Sequence, residues 1–141
     1  MSAEQPTTPH LPGETTGTSE RLPQHLAGAV LAFDLAREAA QLRTERAWAQ
    51  GDRNAKTLVK EASFRVVLIA LRTGARLPDH AAAGRLSLQT LAGRLRVHAG
   101  GETLDVSAGG LVTLERDLPH EVEAVDESTV LLTIAWEGAH D

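Results

Sequence analysis

The side chains of this chain best placed to do chemistry near neutral pH are its six histidines. Two of them stand at informative positions. His120 opens HEVEAV, where strand alternation puts His120, Val122 and Ala124 on one face and Glu121 and Glu123 on the other. An imidazole sharing an apolar face points into an interior, where it is a hydrogen-bonded core group, a metal ligand or a general base. Pro119 fixes the turn that enters this strand. His80 follows Leu77-Pro78-Asp79 and opens AAAGR, in or beside a loop. Loops on a rigid scaffold carry function disproportionately. The two histidines fall at corresponding ends of two glycine-marked segments, Gly74 to Gly93 and Gly109 to Ala124, each of which reads as a β-hairpin.

The other histidines have plainer readings. His98 shares a wet face with Arg94 and Arg96, opposite Leu95 and Val97, and is expected outside any site. His10, His25 and His140 lie near the chain ends or ahead of the first ordered element and are expected to be solvated. The chain has no cysteine, which excludes a thiol nucleophile, a thiolate zinc site and a disulfide. No spacing supports a Ser-His-Asp arrangement. Gly100-Gly101 and Gly109-Gly110 read as hairpin turns rather than a phosphate-binding loop.

The elements that must position these residues are mostly strands. Residues 1–23 are rich in Thr, Pro, Glu, Gly and Ser and nearly free of large apolar side chains. Such a segment buries too little surface to offset its ordering entropy, so a disordered N-terminal tail is expected. Residues 24–56 read as a strand and helix segment that packs on the barrel. Ala29 to Phe33 is a short strand or extended segment, Asp34 is an N-cap, and Leu35 to Trp48 is one amphipathic helix ended by the turn residues Gly51 to Asn54. Arg53-Asn54-Ala55-Lys56 reads as a helix-to-strand connector with solvated charges. Residues 57–138 hold eight short strands separated by Gly, Pro or Asp: TLVKE, FRVVLIALR, RLSLQTLAG, GRLRVHAG, ETLDVS, LVTLE, HEVEAV and STVLLTIAW. That pattern predicts a sandwich or barrel rather than a parallel α/β fold. FRVVLIALR and TVLLTIAW are apolar on both faces, so one face fills the interior and the other needs a helix, a second sheet or another subunit. A homodimer is expected on that ground.

At 141 residues the chain is one ordinary domain with a real core. Its formal net charge of −5 argues against a general nucleic-acid binder. No apolar run approaches membrane-span length and the N-terminus lacks a signal-peptide pattern, so no membrane association and a cytoplasmic location are expected.

The histidine-bearing segments resemble the two motifs of the cupin superfamily. The first motif of that family has a glycine, then His-x-His, a Glu three or four residues on, and a later glycine; here Gly74, His80 and Gly93 fall in register, with Ala82 at the second histidine and Leu86 at the glutamate. The second has a glycine, a proline, a glycine, a histidine and an asparagine; here Gly109 and His120 fall in register, with Glu115, Asp117 and Ala124 at the other three positions. The resemblance spans roughly residues 57–136. It implies an all-β, cupin-like jelly-roll barrel with one N-terminal amphipathic helix. It also implies a divalent metal (iron, manganese, nickel or zinc) held by three histidines and a glutamate. Only His80 and His120 of that set are present, too few for tight binding of a first-row metal, so no cofactor is assured. Ser87 and Gln89 lie on the strand of the lost glutamate but alternate with Leu86 and Leu88, and turn inward only on a one-residue register slip. Glu115 shares a face with Thr113 and Leu111 and could supply a carboxylate.

Three functions stay open. The first is a barrel that binds or senses a small molecule, with His80, His120 and Gln89 at the pocket and Leu86, Leu88 and Val122 as its wall. The second is a metal-dependent oxygenase, isomerase or lyase with a non-standard two-histidine site. The third is a structural protein that uses the helix, TVLLTIAW and Trp136 for partner contacts.

Overall fold

The computed structural model describes residues 21, 25–80 and 82–137, the side chains of 78–80 excepted. Two short helices, α1 (Leu35–Leu42) and α2 (Arg46–Gln50), precede nine strands: β1 (Arg53–Glu61), β2 (Phe64–Leu71), β3 (Arg76–His80), β4 (Arg85–Ala92), β5 (Arg94–Ala99), β6 (Glu102–Ser107), β7 (Leu111–Leu114), β8 (His120–Ala124) and β9 (Ser128–Ala135). They form two antiparallel sheets, ordered β1-β2-β9-β4-β7 and β3-β8-β5-β6. The architecture is an all-β jelly roll with an N-terminal helical segment.

Alternation along each strand divides the apolar residues between two cores. Val67, Ile69 and Leu71 of β2, Leu86 and Leu88 of β4, Leu95 and Val97 of β5, and Val122 of β8 meet between the sheets. Leu58 of β1 and Leu68 and Ala70 of β2 face the other way and are buried under Leu42 of α1 and Trp48 of α2. The second apolar face of β2 is therefore covered by the helices of the same chain. Arg72 fixes α2 there: its guanidinium stacks 4.1 Å from the Trp48 ring and donates to the Trp48 carbonyl at 2.9 Å.

The helical segment departs from the expected single helix. Asp34 caps α1 as expected, its carboxylate accepting from the Arg37 amide at 3.2 Å. The chain then breaks at Arg43–Glu45, where the Thr44 hydroxyl donates to the Gln41 carbonyl and Glu45 turns inward. Glu45 is 2% exposed and accepts from Arg21, Gln41 and Asn54. Burial pushes its carboxyl up, but the hydrogen bonds from Arg21 and Asn54 outweigh it and hold the group below the usual carboxylate range. Arg21 thus docks onto the domain, two residues inside the tail expected over 1–23; the rest of that tail lies outside the described residues. Ala29 to Phe33 is irregular rather than a strand, because no neighbouring strand pairs with it; it is anchored by Phe33 in the outer core. Asn54 to Lys56 is not a solvated connector but the buried start of β1, with Lys56 paired to Glu38 at 2.6 Å.

The two glycine-marked segments are not hairpins. β3 and β4 belong to different sheets, as do β7 and β8, so each segment crosses from one sheet to the other. β3 is the strand that the sequence pattern hides: Pro78 looks like a turn signal, but β3 is a sheet edge, where proline is tolerated. Gly93, between β4 and β5, has φ +85°, and a Cβ there would collide with the Glu127 carbonyl and Ser128. That close approach, together with the positive φ, explains why this position takes glycine.

Candidate functional site

Both crossovers lie at one end of the sandwich. The loop after His80 leads to Arg85, and the loop after Leu114 leads to His120, so the ends of β3 and β7 and the starts of β4 and β8 gather there. The Asp117 amide donates to the Ala82 carbonyl at 2.8 Å and ties one crossover to the other. Asp117 occupies the left-handed region, φ 63°, the only non-glycine among the described residues to do so. It stands where the second motif has glycine, and Asp is one of the few side chains that tolerate this conformation.

Two cross-strand rows meet at this mouth. On the four-stranded sheet, His80 of β3 lies directly opposite His120 of β8, which lies opposite Ala99 of β5. On the five-stranded sheet, register carries a row from Arg65 of β2 through Ile134 of β9 and Leu86 of β4 to Leu114 of β7. His120 is 3% exposed, and its Nδ1 lies 3.0 Å from the Leu118 carbonyl. A carbonyl only accepts, so Nδ1 carries the proton and Nε2 is the lone-pair nitrogen of the neutral ring.

The remaining predicted residues divide between the faces. Leu86 faces inward in the mouth row, and Leu88 and Val122 lie one inward row deeper; all three are buried in the core between the sheets. Ala82 packs against the same core. The structure turns Gln89 away: it alternates with Leu86 and Leu88 and pairs with Leu111 and Leu131 on the outer face. No register slip brings Gln89 or Ser87 inward. Glu115 is exposed in the crossover and contributes no carboxylate to the interior. His98 does not belong to the mouth, but it lines a shallow outer groove of about 410 Å³ with Glu102, Thr103, Pro119 and Glu121. His25 is exposed, and His10 and His140 lie outside the described residues.

The donor set does not fit a four-ligand metal centre. The positions of the second histidine and the glutamate do approach the interior, but they hold a methyl and an isobutyl group with no lone pair. Among the described residues no three of His, Cys, Asp and Glu gather closely enough to hold a metal ion. Arg65 is the residue of this mouth that sequence reading missed. Its signal was present: one residue into an apolar strand, it shares parity with Val67, Ile69 and Leu71.

No protein-family model matches this chain, and no curated protein matches it either. Solved structures do. A conserved protein of unknown function from Streptococcus pyogenes superposes with a TM-score of 0.65 at 20% identity, over 82% of this chain and 95% of that one. An RmlC-like cupin from Desulfovibrio desulfuricans superposes at 0.55 and 22% identity, over 82% and 97%. A mutant of salicylate 1,2-dioxygenase from Pseudoaminobacter salicylatoxidans superposes at 0.61 and 16% identity, over 71% of this chain and 32% of that one. Together with the two-sheet topology, these likenesses establish the class: this chain is a small, single-domain cupin fold.

Proposed function

We propose that this chain is a cytoplasmic barrel that binds or senses a small molecule at the mouth holding His80 and His120, and not a four-ligand metalloenzyme. One observation carries the reading. His120 is buried on the inner face with its tautomer fixed by Leu118, while the Ala82 and Leu86 positions offer only hydrocarbon. A few polar groups set among apolar side chains are the ordinary composition of a ligand site. Fold likeness does not decide between binding and catalysis, since the same fold carries a dioxygenase and a protein of unknown function. A thermal-shift screen of a polar metabolite collection against the parent and His120→Ala tests the reading. Stabilisation of the parent that the variant loses is expected; hits that stabilise both equally would count against it.

A metal-dependent oxygenase, isomerase or lyase with a two-histidine site is the second reading. The backbone register of His80 with His120 favours it. It needs a third protein donor at the mouth.

We also propose a homodimer. The helices cover β1 and β2 but leave the far side of the same outer face, where Leu111 on edge strand β7 is 61% exposed beside Gln89 and Leu131.

A further inference from the structure

One inward-facing position of this mouth holds a cation, Arg65. Arg65 stands at the inward parity of β2 and in the same cross-sheet row as Leu86, the position of the lost glutamate. Its side chain stays at the mouth, with Cζ 5.2 Å from the centroid of the Trp136 ring. Trp136 continues the inward parity of Val130, Leu132 and Ile134, and its amide is held by the Ser63 carbonyl at 3.0 Å. The Arg65 Nε–H is buried and has no hydrogen-bond partner. Among the described residues no carboxylate lies within 4 Å of its guanidinium. Lys60, its cross-strand neighbour in register, has no ion pair among the described residues either.

These facts are costly for an empty mouth. A buried N–H without a partner forfeits its hydration, and like charges opposite each other on adjacent strands repel. An aromatic ring that holds the plane of a guanidinium leaves its edge free for a bidentate contact. The exposed Arg116–Glu137 pair on the rim is self-neutralised at 2.9 Å and offers no counter-ion.

We infer that the mouth binds a small organic carboxylate. Arg65 takes the carboxylate through its Nε–H edge, and Ile134, Leu86 and Leu118 receive the apolar remainder, with His120 close by on the opposite sheet. With Leu86 at the family's glutamate position and Arg65 in the same row, this wall suits an anion rather than a cation. This inference rests on the reading of the mouth as a binding pocket.

The test is an NMR titration of the intact protein with benzoate and hexanoate beside benzamide and hexanamide, following the Arg65 Nε–H and His120 ring signals. Both carboxylates are expected to shift the Arg65 Nε–H saturably. The amides are expected to bind about tenfold more weakly or worse, the scale of one charge-assisted hydrogen bond. Arg65→Gln is expected to lose the same factor and Arg65→Lys to recover part of it, with unchanged amide dispersion elsewhere. Amides that bind as tightly as the carboxylates, with His120 shifted and Arg65 not, would overturn the anion assignment and keep the pocket. No response of either side chain to any of the four compounds would overturn both.

Discussion

His120 and Asp117 show how single residues shape the mouth. The ring of His120 is oriented by one backbone carbonyl, two residues earlier in the chain, so its tautomer is built into the turn that Pro119 enters. Replacement by Ala deletes the donor to Leu118 and leaves a small void. A loss of about 1–2 kcal/mol in urea unfolding is expected, with the fold retained. Asp117 holds a left-handed backbone so that its amide reaches Ala82 across the mouth. A β-branched residue there pays more for that conformation. Asp117→Val is expected to destabilise by about 1–2 kcal/mol, and Asp117→Gly to be neutral or stabilising, by the same assay. If Asp117→Val were neutral, the left-handed turn would not be what fastens the two crossovers.

At the scale of elements, the helical segment is held by a buried ion pair as well as by packing. Glu45 has a carboxyl pKa held below its usual range by Arg21 and Asn54 in spite of burial. A group depressed in the folded state contributes stability that is fully present above its unfolded pKa and is lost as pH falls through its folded value. The parent is therefore expected to lose stability below the normal carboxylate range, and Glu45→Gln to flatten that acid limb. At neutral pH, Glu45→Ala is expected to cost on the order of 3 kcal/mol, since it strands Arg21 and Asn54. An unchanged acid limb in Glu45→Gln would remove this pair as a source of acid sensitivity. Gly93→Ala tests the β4–β5 turn: a loss of about 2 kcal/mol or more is expected from the positive φ and the collision with Glu127.

The same elements show what was legible beforehand. Periodicity of two marked eight of the nine strands, and the Asp34 cap was readable because its chemistry is local. The inward face of His120, Val122 and Ala124 followed from alternation and stands, each buried. What stayed hidden depends on distant partners. The break at Glu45 follows from Arg21 and Asn54, which lie 24 residues before it and 9 after it in the chain. β3 was concealed by Pro78, whose tolerance depends on the edge position of the strand. Arg65 was passed over because one charge in FRVVLIALR looks like a solvated strand end until register sets it beside Leu86.

For the whole molecule, the sandwich has one end where both crossovers meet, with His80 in backbone register with His120 and Arg65 in the facing sheet, and an outer face only partly covered by helices. Light scattering is expected to return twice the chain mass, and Leu111→Glu to return the chain mass alone; a parent that is monomeric at micromolar concentration would exclude the dimer. Among the described residues no helix is long and apolar enough to cross a membrane. The central claim is that this cupin fold is not a four-ligand metal centre. It is tested most directly by elemental mass spectrometry of untagged protein, before and after incubation with iron, manganese, nickel and zinc, beside the His80→Ala, His120→Ala double variant. Metal well below one equivalent, equal in parent and variant, is the expected result. Near-stoichiometric metal in the parent that the variant loses would contradict it and put the enzyme reading first.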